Sequence, residues 1–166
     1  MSMQSKGDAA PMLPQSLQRK RMARLKAVQL LYQRTVMRAD MSGEALWSYW
    51  QTHGDIAGER VAPKQSLLHA IITGVCAHED ALGDDVARCL REGWSAQRIT
   101  TMLRMILLAA LYELRYHRDY DGVMLVSEYT ALAAEFLGEE EVGFVNASLD
   151  TMRCALRADA VPSQDA

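Results

Sequence analysis

The segment ITTMLRMILLAALYELRY, residues 99–116, decides how the rest of the chain is read. Every residue across 105–112 is apolar or aromatic, so a helix through it is hydrophobic on all sides and belongs inside a core. Arg104 and Glu113 bound that run well short of the roughly 18 to 20 residues a bilayer crossing requires, which excludes a membrane span here. Leu, Met and Ala dominate and β-branched residues are few, which favours a helix over a buried strand. Helical neighbours must cover such an element on several faces.

Amphipathic patterns on both sides supply those neighbours. Residues 17–38 carry Leu25, Val28, Tyr32 and Val36 at helical spacing, with Ala27 and Leu31 widening the stripe and Ser16 placed to cap it. Ser42 and Glu44 open a shorter helix whose Leu46, Trp47 and Trp50 turn inward, and His53-Gly54 ends it. After a Gly- and Pro-containing connection, Pro63 suits the first turn of a third helix with Leu67, Leu68, Ile71, Ile72, Val75 and Leu82 on one face. Gly83 is the expected break before Val86, Cys89 and Leu90 resume a helical pattern, and a Gly93-Trp94-Ser95 turn leads into the central segment. Residues 119–122 read as a loop. Residues 123–137 and 142–156 give two further helices, split at Gly138. No alternating strand pattern and no fixed-period repeat is present, so the expected fold is all-α with about seven helical segments. They form one domain over residues 16–157, between an arm (1–15) and a tail (158–166) without fixed structure.

Charge is segregated along the chain. The net value of -3 conceals a stretch, residues 9–39, with no acid and with Arg19, Lys20, Arg21, Arg24, Lys26, Arg34 and Arg38. Residues 119–152 show the reverse, with Asp119, Asp121, Glu128, Glu135, Glu139, Glu140, Glu141 and Asp150 and no Lys or Arg. Such a division points to a polyanion meeting one face of the molecule. The cluster Arg19, Lys20, Arg21 and Arg24 at the start of the first helix is the arrangement that follows a phosphate backbone, the alternative being a solvated helix end. Tyr32 adds an aromatic surface or, at helical spacing, a core residue.

Enzymatic chemistry is not supported. The chain has no glycine-rich phosphate loop, no H-E-x-x-H, no C-x-x-C and no G-x-S-x-G. His53, His69, His78 and His117 lack ligand-like spacing, so neither a metal nor another cofactor is expected. Glu128 and Glu135 read as a solvated face rather than a catalytic pair. Cys76, Cys89 and Cys154 are odd in number and widely separated, as expected of reduced thiols in a cytoplasmic protein; no charged-then-apolar leader opens the sequence, so no export signal is expected.

Three segments taken together resemble the NusB-type transcription antitermination factors. RLKAVQLLY, residues 24–32, is similar to the family's R-x-x-A-x-Q-x-L-Y opening helix, and ILLAALYEL, residues 106–114, to its I-L-R-L-A-L-Y-E-L helix. Val126-Ser127-Glu128 and the later Phe144-Val145-Asn146-Ala147-Ser148-Leu149-Asp150 resemble I-N-E-A and F-V-N-G-V-L-D, in the same order and separation. The resemblance implies two small helical bundles without catalytic activity. It implies binding of boxA-type single-stranded RNA together with the ribosomal protein NusE, within the RNA polymerase antitermination complex that reads through terminators on ribosomal RNA operons. By position it assigns RNA contact to Arg19, Lys20, Arg21 and Arg24, with Tyr32, Phe144 and Asn146 as further RNA-surface positions, an aromatic stacking on a base and an amide reading its edge. The pattern also departs from the family. Leu108 replaces Arg, Ser127 replaces Asn, Ala147 replaces Gly, Leu103 stands where an acid is common, and the proline usual before Val123 is absent. A helical protein-interaction module of the same fold that has lost RNA recognition is the alternative reading, and apolar helix faces leave a homodimer open.

Overall fold

The computed structural model describes residues 12–54, 59–90 and 99–158, and within them the chain forms seven α-helices and no strand. They are α1 (Gln15–Val36), α2 (Gly43–His53), α3 (Gln65–Ala77), α4 (Glu79–Leu90), α5 (Thr101–Tyr116), α6 (Gly122–Ala134) and α7 (Glu139–Leu156). Residues 99–116 hold α5. Leu103 and every residue from Met105 to Leu114 are buried along it. Helices α1 and α3 pack on α5 with α2 laid against α3, while α4, α6 and α7 also pack on α5 and α6 pairs with α7. One helix whose middle is apolar on every side therefore serves two sets of neighbours. Among the described residues no helix is long and apolar enough to cross a membrane.

Several ends are set by side-chain caps. Ser42 Oγ accepts from the Ala45 amide at 3.1 Å, Thr100 Oγ1 from Leu103 at 3.2 Å, and Asp121 Oδ1 from Val123 at 3.3 Å. Glu139, Glu140 and Glu141 occupy the first turn of α7, where the helix dipole favours negative charge, so this helix starts three residues before its apolar pattern does.

Four local expectations are corrected. Ser16 is not a cap: α1 starts behind Pro14, whose carbonyl takes the first helical hydrogen bonds, from the Leu17 and Gln18 amides. Pro63 lies before Lys64, the residue that leads α3, rather than in its first turn. The break between α3 and α4 falls at His78, not Gly83. The apolar face runs on through Leu82, but Glu79 and Asp80 start a new helix, and the His78 ring stacks on Tyr116 with centroids 4.4 Å apart. Trp47 is only half-buried and meets His69 edge-on, whereas Leu46 and Trp50 enter the core as expected. The Gly93-Trp94-Ser95 turn, residues 1–11 of the arm and residues 159–166 of the tail lie outside the described residues.

Leu103 and Leu108, 0% and 7% exposed, are core residues of α5. The charges common at these positions in the family would be desolvated here, and the apolar replacements match that burial.

Two helix contacts need the absence of a Cβ. A Cβ on Gly43 would lie 2.6 Å from the Thr73 Cα, main chain that cannot swing aside, and one on Gly74 would lie 2.1 Å from Tyr112 Cζ. Gly43→Ala is therefore expected to push α2 off α3 and lower stability by about 1–3 kcal/mol. Urea unfolding followed by circular dichroism measures this loss.

Candidate nucleic-acid interface

The basic cluster occupies the first three turns of α1, and helical geometry divides it. Arg24 falls on the same stripe as Ala27, Val28 and Leu31, so it points into the protein and is 1% exposed. Its expected place on the phosphate-following surface is corrected on this ground. Arg24 Nε donates to Glu113 Oε2 at 2.7 Å and Nη2 donates to Oε1 at 3.2 Å, a two-pronged pair between α1 and α5. Glu113, 0% exposed, also accepts from Tyr129 Oη at 2.5 Å and is met by His117 Nδ1 at 3.1 Å. Since a carboxylate only accepts, the His117 hydrogen sits on Nδ1.

The electrostatics of this cluster follow from its partners. Burial pushes the Glu113 carboxyl up, but hydrogen bonds from His117, Arg24 and Tyr129 outweigh it and leave the group below the ordinary glutamate value. Burial likewise disfavours the Arg24 charge, and Glu113 more than offsets it, holding the guanidinium above its usual range. Burial, followed by the nearby Glu113 charge, raises Tyr129 well above the ordinary phenol value.

Arg19, Lys20 and Arg21 remain toward solvent. Arg19 is exposed while its carbonyl accepts from the Lys64 amide at 3.0 Å, tying the start of α1 to the start of α3. Arg21 makes a two-pronged contact with Glu128 of α6, with Nε to Oε2 and Nη2 to Oε1 both at 2.8 Å. Its side chain is still 45% exposed, so the pair is worth at most about 1 kcal/mol and leaves the charge open to a competing anion. Lys20 holds its ammonium 5.2 Å from the ring centroid of Tyr120, in the turn between α5 and α6.

The remaining expected positions are elsewhere. Tyr32, 36% exposed, is on α1 but twelve residues beyond Lys20, roughly 18 Å along the helix. Phe144 and Asn146 lie on α7, two residues apart and thus on different faces. Phe144 is half-buried and lines a cleft with Arg88, Cys89 and Ser148, while Asn146 Oδ1 accepts from Thr130 Oγ1 of α6 at 3.4 Å. The structure thus gathers Arg19, Lys20 and Arg21 at one end of α1, sets Tyr32 further along that helix, and puts Asn146 in a cleft with Thr130 and Ala131 of α6, the helix Arg21 meets through Glu128.

Two residues that shape this end escape sequence reading. Arg157 donates to the carbonyls of Leu114 at 3.0 Å, His117 at 3.0 Å, Tyr120 at 2.5 Å and Glu113 at 3.4 Å, capping the C-terminus of α5 and bracing the turn after it. Tyr120, the residue under Lys20, has no helical periodicity to mark it. Arg24 and Glu113 did carry a signal: each is a charge at a position where its own helix is otherwise apolar.

Chain-wide comparison gives this architecture its place. The description of the NusB family matches residues 21–153, and the chain belongs to that family. It is 33% identical over 141 residues to the transcription antitermination protein NusB of Bradyrhizobium diazoefficiens, covering 82% of this chain and 84% of that protein. With the protein of the same name from Rhodopseudomonas palustris strain BisB18 it shares 32% identity over 154 residues, 90% of each chain. The solved structure of T. maritima NusB superposes with a TM-score of 0.67 at 23% identity, over 86% of this chain and 92% of that one, and shares its fold.

The buried pair makes a pH prediction. Glu113 titrates lower when folded than when unfolded, so its contribution is fully present above the unfolded value of about 4.3 and is lost as pH falls through the lower folded value. Glu113→Gln leaves Arg24 charged and unpaired in the core and should cost about 3–5 kcal/mol at neutral pH. The difference from the parent should narrow below about pH 4, where the parent carboxylate itself takes up a proton. Melting temperatures of both proteins from pH 7 to pH 3 check this.

Proposed function

We propose that the chain is a non-catalytic, cytoplasmic transcription antitermination factor that binds boxA-type single-stranded RNA together with NusE, and that it acts within the RNA polymerase complex on ribosomal RNA operons. Family membership and the names of its relatives support the class. The observation that carries the RNA reading is the trio Arg19, Lys20 and Arg21, held outward at one end of α1 while Arg24 anchors that helix inside. Fixed guanidinium and ammonium groups track a phosphate backbone without sequence preference, and base stacking adds to them. In this reading Arg24 positions the RNA-binding helix rather than touching RNA. Tyr32, further along α1, and Phe144 and Asn146, on α7, are proposed as further contacts along the strand, Asn146 beside the α6 segment that Arg21 meets. Leu103 and Leu108 are buried in the core, so in this reading the NusE surface is sought on exposed positions rather than at these two.

The reading is tested by titrating a boxA-type RNA across salt concentrations, with and without NusE. Binding of the parent protein should weaken with salt. Replacing Arg19, Lys20 and Arg21 by Gln should reduce the slope of log affinity against log salt by about 2, given about 0.7 per neutralised phosphate on a single strand. Equal affinity for boxA and scrambled RNA would overturn sequence recognition, and absence of a salt effect would overturn the basic-start mechanism.

A further inference from the structure

We infer that Tyr120 is a stacking platform for one nucleobase of the RNA strand held by the start of α1, with Lys20 as its removable cover. The inference rests on the RNA-binding reading above and adds to it a residue that neither motif nor charge pattern marks.

Tyr120 is held from several directions. Its amide donates to the His117 carbonyl at 3.1 Å, its carbonyl accepts from Arg157 Nη1 at 2.5 Å, and its ring meets His117 edge-on at 5.7 Å between centroids. The ring is nonetheless only partly buried. Two cations approach it and differ in freedom. Arg24, 5.4 Å from the centroid, is locked by Glu113 in the core. Lys20, 5.2 Å away, is partly exposed on a flexible stem.

An ammonium over a partly hydrated ring is weakly held, whereas a base laid on the same ring gains stacking area. A strand arriving at Arg19 and Arg21 offers Lys20 a phosphate in exchange for the ring. The ammonium then moves to the backbone, a base takes its place on Tyr120, and the fixed loop needs no rearrangement. Every base has a π-face, so the platform tolerates any of the four and favours a purine through its larger area. Arg24, 5.4 Å from the same ring, stays paired with Glu113 and does not compete for the strand.

The test uses the full chain and boxA-type RNA carrying 2-aminopurine at successive positions. In the parent protein one position should be quenched on binding; no quenching at any position would overturn the inference without requiring a variant. Tyr120→Phe should bind within about twofold of the parent, and Tyr120→Leu about tenfold more weakly with an unchanged salt slope, since stacking and not charge is removed. Lys20→Gln should lower the slope by about 0.7 and keep the quenching. If Tyr120→Leu binds as the parent does, or loses affinity and salt slope together, Tyr120 does not stack and the RNA reading stands. If the parent protein fails to bind RNA at any salt concentration, the proposed function falls and this inference with it.

Discussion

The contact between Arg24 and Glu113 is the constraint on which the rest of the arrangement depends. Both groups are removed from water, and desolvation of such a pair consumes much of its Coulombic gain. What the pair supplies is orientation. Glu113 uses both oxygens, with Tyr129 of α6 and His117 at the end of α5 completing its shell, so rotation of α1 about its own axis would break both Arg24 bonds to a carboxylate that α5 and α6 hold in place. Fixing Arg24 inward fixes Arg19, Lys20 and Arg21 outward on the same helix.

The same arrangement explains why a helix so apolar can carry a charged residue near its end. Residues 105–112 supply packing area on every face but little direction, since apolar contacts are non-specific in angle. Glu113 supplies the direction, and Gly74 under Tyr112 adds a steric key one residue earlier. Leu103 and Leu108 belong to the packing part of this division. Their departure from the family pattern is absorbed by the core.

Most of the helices were legible from the amino-acid order because their signals are local. Ser42, Thr100 and Asp121 each close the start of a helix through their own side chains, and the apolar stripes of α1, α3 and α7 follow the helical period. The break at His78 is masked in the sequence because the apolar face of α3 continues in phase to Leu82, although Glu79 and Asp80 begin the new helix and His78 packs on Tyr116 at the turn. Charge order outlines the exposed basic start of α1 but not the burial of Arg24. Charge counting treats Arg24 like its neighbours, whereas its partner is 89 positions away in sequence and invisible to any local window. Tyr120 and Arg157 were missed for the same reason: their roles come from residues of other segments that converge on one turn.

The position of Arg157 has a consequence for the order in which the molecule is completed. The carbonyls it caps belong to the end of α5 and the turn carrying Tyr120, more than thirty residues earlier in the chain. During synthesis from the N-terminus, α1 and α5 are both available well before this arginine leaves the ribosome. Until it does, the end of α5 has unsatisfied backbone groups and the ring beneath Lys20 lacks one of its braces. This surface is thus finished by nearly the last described residues to be made, and a nascent chain truncated before α7 would have Arg24 and Glu113 to orient its basic residues but would leave the turn carrying Tyr120 without the Arg157 brace.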